Sequence, residues 1–300
     1  MPIKILDGLP VKKLLAQEGI FSMDETRAVT QDIRPLKLLI LNLMPNKVET
    51  ELQLLRLISQ SPLQSEIDFL QTETYEAKNT SQTYLQTFYK TFSDVKNKRY
   101  DGLIITGAPV EQLAFEEVDY WQEMTQILDW AQKNVTSIIH ICWGAQAGLY
   151  HYYGVEKIEY KEKLFGVYEN QLVSHHPLTR GFSDTFYSPQ SRYTGVDEKA
   201  LEKAPLKILS TNDELGPLML TSVDEKNIFI FGHLEYEANT LYEEYLRDRD
   251  KRLGTAFPKY YYRLDKLRDE FKQVWRSEAS LFYQNWLNEV YQRTPYNWID

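Results

Sequence analysis

Five short apolar runs constrain this chain more than any other feature. They are "LKLLILNL", "EIDFLQT" (66–72), "YDGLIITG" (100–107), "TSIIHIC" (136–142) and "NIFIFGH" (227–233), each bounded by turn or cap residues. Runs this short and this rich in Ile and Leu read as strands buried on both faces, as in parallel sheets. Helical stripes lie between them: Val48, Leu52, Leu55 and Ile58 recur at spacings of three and four, as do Trp121, Met124, Leu128 and Ala131. Strand and helix alternate to about residue 153, so the expected class is α/β, an open, mostly parallel sheet with helices on both faces.

Beyond that point the pattern changes. Residues 155–225, punctuated by Pro177, Pro189, Pro205 and Pro217, read as shorter, mixed, turn-rich pieces that elaborate the same unit. From about residue 238 the chain reads as helical, and "SLFYQNWLNEVYQ" (280–292) carries an amphipathic, aromatic face. No Gly/Ser linker, low-complexity tract or repeat divides the 300 residues, so a single domain over 1–300 is expected.

Composition excludes several classes. A single cysteine cannot close an internal disulfide and fits a reducing compartment. The start, "MPIKILDGLPVKKLLAQEGIF", lacks the apolar core and cleavage site of a signal peptide, and no run of eighteen apolar residues could cross a membrane. A cytoplasmic location follows as the expectation. The formal net charge of -9 argues against a nucleic-acid partner, which would require a basic stripe.

The cysteine stands where the strand run of "SIIHICWGAQAG" meets small residues suited to a tight turn into a helix. That is the layout of a nucleophile elbow, which holds a side chain at the carboxyl end of a strand, where open α/β sheets bind their ligands. The N–H groups of the following helix favour a thiolate and a developing oxyanion there. Gly144 lets another backbone or a substrate approach closely.

A thiol nucleophile needs a base, and the base needs an orienting group. Five histidines are available. His140, two residues before Cys142, falls on the same strand face and is a candidate to line the site. His151 reads as packed or exposed, and "SHHP" (174–177), which holds His175 and His176, as a loop without metal-ligand spacing. His233 ends the "NIFIFGHLEYE" run with Glu235 at i+2, which in an extended segment points the same way. Cys142, His233 and Glu235 therefore read as nucleophile, base and orienter.

"HICWGAQAG" followed by "GHLEYE" resembles class I glutamine amidotransferases. "LNLMPNKVETELQLLRLIS", "YDGLIITGAPVEQLAFEEVDYW", "EKLFGVYENQ", "SRYT" and "GHLEYEANTLYEEYLRDRD" narrow the resemblance to the MetA-type homoserine O-acyltransferases of methionine biosynthesis. This resemblance implies an amidotransferase-like core at 35–260 with a helical extension at 261–300. It implies that Cys142 takes the acyl group from acyl-CoA as a thioester, with His233 as general base and Glu235 as its orienter. It also implies that Lys163, Ser191 and Arg247 contact L-homoserine, and that Lys47 and the backbone of Trp143 help hold the oxyanion. A cytoplasmic homodimer with no metal and no cofactor beyond the acyl-CoA co-substrate completes the expectation. Just after Pro45, the pair Asn46 and Glu49 has the spacing of a capping box, which would place Lys47 in a first helical turn, where the helix dipole disfavours positive charge.

The family uses acetyl-CoA or succinyl-CoA, and the residue after "TGAPV" is associated with the choice. Here it is Glu111, whose carboxylate would repel the free carboxylate of a succinyl group, so acetyl-CoA is the favoured donor. Homoserine O-succinyltransferase is the alternative within the family. A glutamine amidotransferase-like cysteine hydrolase and a noncatalytic redox sensor are the alternatives outside it. The aromatic-rich helices after residue 238 are expected to help close the site against water.

Overall fold

Each of the five apolar runs forms a strand, and the five lie side by side in one parallel array. The computed structural model describes residues 3–17, 22–28, 34–74, 80–262 and 271–295. Parts of the expected 261–300 extension, residues 263–270 and 296–300, lie outside these. In chain order the strands are β1 (Ile3–Ile5), β2 (Ser22–Asp24), β3 (Leu36–Leu41), β4 (Ser65–Leu70), β5 (Tyr89–Lys90) and β6 (Tyr100–Ile105). They continue with β7 (Val135–Ile141), β8 (Lys157–Leu172), β9 (Thr185–Val196), β10 (Leu206–Asn212), β11 (Gly216–Ser222) and β12 (Asn227–Ile230). The sheet order is β2-β1-β4-β3-β6-β7-β12-β11-β10-β8-β9, with β5 pairing β4. From β2 to β12 the pairings are parallel, and from β12 to β9 they are antiparallel.

The five longest helices among the described residues are α1 (Lys47–Ile58), α2 (Trp121–Asn134), α3 (Trp143–Tyr153), α4 (Thr240–Asp250) and α5 (Arg276–Arg293). Side-chain alternation along the strands divides the core between the faces. Leu38, Ile40, Ile104 and Ile139 pack with Leu54, Leu55 and Ile58 of α1 and Phe282 and Trp286 of α5. Leu39, Leu41, Leu103 and Ile105 pack with Met124, Ile127 and Leu128 of α2.

Three expectations need correction. Residues 155–225 are not short mixed pieces: β8 runs for 16 residues and pairs with β9 from Lys157↔Val196 to Gln171↔Thr185, with an irregularity between Glu159 and Leu164. Charged residues hid this strand, because much of β8 faces solvent. Second, α1 begins where the spacing placed it, but without a capping box. Asn46 donates its side-chain amide to Glu49 Oε2 at 2.9 Å, so its oxygen caps no helical N–H. Third, α5 mainly covers the sheet and nears the site through Tyr283, which feels the Glu235 charge. The Trp286 ring lies on Gly102, where an added Cβ would come within 2.8 Å of it, and its indole donates to Ser137 Oγ at 3.0 Å.

This last contact carries a stability prediction. Trp286 is fully buried, and Trp286→Ala empties a large site and strips Ser137 of its donor, at a cost of about 3–5 kcal/mol. Urea unfolding should show a lower midpoint of that size with an unchanged slope.

Candidate active site

The carboxyl ends of β3, β6, β7 and β12 meet at one edge, in register through Leu41↔Ile105, Ile105↔His140 and Ile141↔Ile230. Just beyond them come Asn42, Thr106, Cys142 and the segment leading to His233. The Cys142 N–H still donates to Ile230 O at 2.7 Å, continuing the ladder by one residue. Then the chain turns sharply. Cys142 has φ 51° and ψ −112°, a conformation non-glycine residues rarely adopt, and α3 starts at Trp143. An added Cβ on Gly144 would lie 2.8 Å from Thr106 O, so the small residue lets the helix seat against the end of β6. The elbow expected from the sequence is present.

His233 reaches the thiol from the neighbouring strand, though not as an extension of it. The strand stops at Ile230, Phe231 N still donates to Leu218 O at 3.0 Å, and residues 234–235 lie in a turn. An added Cβ on Gly232 would meet the Gln190 side chain at 2.6 Å, and the His233 N–H donates to Pro189 O at 2.8 Å. That turn, rather than extended alternation, brings Glu235 Oε1 to 2.7 Å from His233 Nδ1. With Nδ1 engaged by the carboxylate, Nε2 is the nitrogen left to serve the sulfur, and Cys142 Sγ and His233 Cε1 both lie within 4 Å of the position of a Cβ added on Gly107. Tyr236 stacks on the imidazole with centroids 4.1 Å apart and planes at 14°.

Cys142, His233 and Glu235 are all buried. Burial alone would depress the imidazole, but the Glu235 carboxylate, with a further contribution from Cys142, outweighs it and holds His233 well above the usual histidine range. Glu235→Gln keeps the shape and removes the charge, so burial should then dominate and the ring should lose its proton at lower pH. We expect kcat to fall about 10³–10⁴-fold. Titration of the His233 ring by NMR should show the downward shift, and an unshifted ring would refute this account.

Beside this relay lies a second cluster. Lys163 on β8 donates to Glu244 Oε1 at 2.6 Å and to Asp248 Oδ2 at 2.8 Å, and Ser191 on β9 donates to Glu244 Oε1 at 2.7 Å. Arg247 pairs with Glu244 at 3.4 Å and with Asp248 at 3.3 Å, its side chain more than half exposed. Burial pulls the Lys163 ammonium down, but the two carboxylates hold it above its ordinary value. Glu244 and Asp248 were missed from the sequence, where they read as helix surface. Their i, i+3 and i+4 spacing with Arg247 was the available signal, since it sets all three on one face of α4. This is also how a helix after residue 238 contributes to the site.

Glu111 points inward. Its carboxylate lies 3.5 Å from Thr194 Oγ1 and feels the charges of Lys163, Arg192 and His233. Burial raises its pKa, and those neighbours partly offset the rise. Gly107 was also missed. An added Cβ there would lie 3.9 Å from Cys142 Sγ and 3.7 Å from His233 Cε1, so the backbone of the "TGAP" turn forms one wall of the site.

The two residues expected to hold the oxyanion are placed differently from each other. Trp143 opens α3, where first-turn N–H groups lack helical acceptors, and its ring packs against Phe115 and Tyr120. Lys47 is buried with its ammonium donated to Asn42 O, and burial lowers its pKa to about 8. Glu51, bonded by Tyr84 and Tyr89 at 2.6 Å each, opposes that shift. Among the described residues no hydrogen bond, ion pair or ring contact joins Lys47 to Cys142 or His233.

His140 does not line the site, contrary to expectation. It lies in the core against Gly148 of α3, stacks on Phe229 at 4.8 Å and bonds Asn227 Oδ1 at 3.1 Å, and burial lowers its pKa to about 4. His151 pairs with Asp129 at 2.7 Å, and His176 Nδ1 accepts the Leu178 N–H at 3.2 Å. Among the described residues no group of three His, Cys, Asp or Glu could hold a metal ion, and no helix is long and apolar enough to cross a membrane.

Comparison with solved structures supports the fold. A glutamine amidotransferase from Thermotoga maritima superposes with a TM-score of 0.56 at 13% identity, covering 86% of this chain and 99% of that one. A glutamine amidotransferase from Methylobacillus flagellatus gives 0.55 at 11%, covering 89% and 98%. Sequence relatives are far closer. A homoserine O-acetyltransferase from Clostridium acetobutylicum is 52% identical over 299 residues, covering 99% of each chain. One from Bacillus subtilis is 51% identical over 302 residues, covering 99% of this chain and 100% of its own. The family model described as homoserine O-succinyltransferase matches residues 2–296. On full-length identity to these enzymes and a family match across nearly every residue, the chain belongs to the homoserine O-acyltransferase family.

Proposed function

We propose that this enzyme transfers an acetyl group from acetyl-CoA to the hydroxyl of L-homoserine, through a thioester on Cys142. The observation that carries the reading is Cys142 at the elbow grouped with His233 and its hydrogen-bonded Glu235, flanked by a cluster of both charge signs. A zwitterionic amino acid suits such a cluster: Glu244 and Asp248 offer acceptors for its ammonium, while Lys163 and Arg247 offer donors for its carboxylate.

In the first half-reaction the Cys142 thiolate attacks the thioester carbonyl, and helix-terminal N–H groups, Trp143 among them, stabilise the oxyanion. The C–S bond to CoA breaks, and the CoA thiolate takes its proton from the His233 imidazolium. In the second, neutral His233 accepts the proton of the homoserine hydroxyl as its oxygen attacks the acyl carbon. Collapse of that intermediate returns the Cys142 thiolate beside imidazolium and releases O-acetyl-L-homoserine. Thioester exchange in the first step is nearly isoenergetic, while transfer to an oxygen ester in the second is downhill.

The inward-facing Glu111 supports acetyl over succinyl, as do relatives named for the acetyl transfer. The family model's description, homoserine O-succinyltransferase, supports the second reading, in which succinyl-CoA is the donor. The enzyme would act as a cytoplasmic homodimer without metal, as one domain built on residues 35–260 with 261–300 as its helical extension. Incubation with acetyl-CoA, succinyl-CoA or glutamine, without acceptor, tests the proposal by mass. Acetyl on the Cys142 peptide that L-homoserine discharges is the expected result; succinyl alone would replace the donor, and label from glutamine would replace the reaction.

A further inference from the structure

The loop that carries Glu111 is anchored by a lysine no motif singled out. Lys157, the first residue of β8, donates its ammonium to the main-chain carbonyl of Glu111 at 2.6 Å and to that of Leu113. The same ammonium sits 4.7 Å from the centre of the Phe115 ring. One cation thus bridges two carbonyls of a turn and rests on the aromatic ring that follows it, a geometry that fixes the turn against β8.

The other side of the turn is fixed by β9. Lys157 pairs across the hairpin with Val196, two residues from Thr194, whose hydroxyl donates to Gln146 Oε1 at 2.8 Å and lies 3.5 Å from the Glu111 carboxylate. The Glu111 backbone is thereby held by β8 while its carboxylate is aimed by β9. Without the Lys157 bridge, residues 110–113 would keep few ties to the sheet, and the carboxylate could swing toward solvent, where a surface acid prefers to be.

We propose that Lys157 is a positioning residue for donor selectivity: by clamping the carbonyls of Glu111 and Leu113 it keeps the Glu111 carboxylate facing the acyl pocket. This rests on the reading of Glu111 as the group that rejects a succinyl donor. Among the described residues no hydrogen bond, ion pair or ring contact joins Lys157 to Cys142, His233 or Glu235, so its removal should move selectivity more than turnover.

The test compares kcat/KM for acetyl-CoA and succinyl-CoA in the wild type, Lys157→Met, Lys157→Gln and Lys157→Arg, with the KM for L-homoserine as a control. The Met variant should keep acetyl-CoA use within about threefold and narrow the acetyl-to-succinyl ratio at least tenfold. The Arg variant, which can still bridge two carbonyls, should restore the ratio, and Gln should fall between. An unchanged ratio in Lys157→Met, with a discriminating wild type, overturns the role of Lys157 alone. Equal loss with both donors in Met and Gln also overturns it, because that is what a merely structural lysine would do. A wild type that uses succinyl-CoA as well as acetyl-CoA overturns the donor assignment, and the role of Lys157 falls with it.

Discussion

Cys142→Ser is expected to lose at least about 10⁴-fold in turnover and to carry no acyl group after exposure to acetyl-CoA. Serine differs by one atom, and hydroxyl nucleophiles work well in other relays, so the expectation needs an argument. The site is tuned to a pair of opposite charges. His233 is held well above the usual imidazole range by Glu235, with a further contribution from Cys142, against the effect of burial. An imidazole raised in this way suits the acid that the CoA thiolate needs, and it requires a nucleophile that gives up its own proton readily. A thiol can meet that requirement and a serine hydroxyl cannot. Chemistry adds a second barrier, since an acyl-serine is an oxygen ester, and passing its acyl group to homoserine loses the downhill step that a thioester provides. His233→Ala should fall to a similar depth, because members of a relay are not additive. Steady-state rates and intact mass read the result, with circular dichroism showing that the fold survives. Turnover within tenfold of the wild type in Cys142→Ser would remove Cys142 from the chemistry.

The sheet was legible because its physics is local. Runs such as "YDGLIITG" must be buried on both faces wherever they go, and they became neighbouring strands with boundaries shifted by up to three residues. β8 was not legible, because a strand with one wet, charged face looks like a loop when read by apolar content. In the site, the elbow was readable from the change of residue type at Cys142, and His233 from its place after another strand. Glu235 was found by an argument whose geometry differs from the structure: a turn, not an extended segment, brings the carboxylate back. His140 shows the converse failure. Its alternation with Cys142 was a sound argument, but the chain reverses direction at φ 51°, so the two side chains no longer share surroundings. Glu244, Asp248 and Lys157 were invisible for a common reason. Each matters through partners 44 or more residues away, Glu244 and Asp248 through Lys163 and Lys157 through the 111–113 turn. No local pattern announces such a partner.

Glu111→Gly is expected to raise kcat/KM for succinyl-CoA by about 10²–10³-fold while leaving acetyl-CoA within tenfold. Two like charges about 4 Å apart at an effective dielectric near 20 repel by about 4 kcal/mol, roughly a thousandfold. The neighbouring charges of Lys163, Arg192 and His233 reduce that figure, which sets the lower end of the range. Bulk could give the same result, since glycine also removes a side chain, and Glu111→Gln separates the causes. The amide keeps the volume but carries no charge. If repulsion governs the choice, Gln opens the site to succinyl-CoA nearly as far as Gly does; if space governs it, only Gly does. The pH dependence gives an independent reading. Burial raises the Glu111 pKa, so as pH falls this carboxylate neutralises before an ordinary one would. Discrimination against succinyl-CoA in the wild type should therefore narrow on the acid side, and in Glu111→Gln it should stay flat. A wild-type preference that holds constant across that range would mean that charge at Glu111 does not decide which acyl group Cys142 receives.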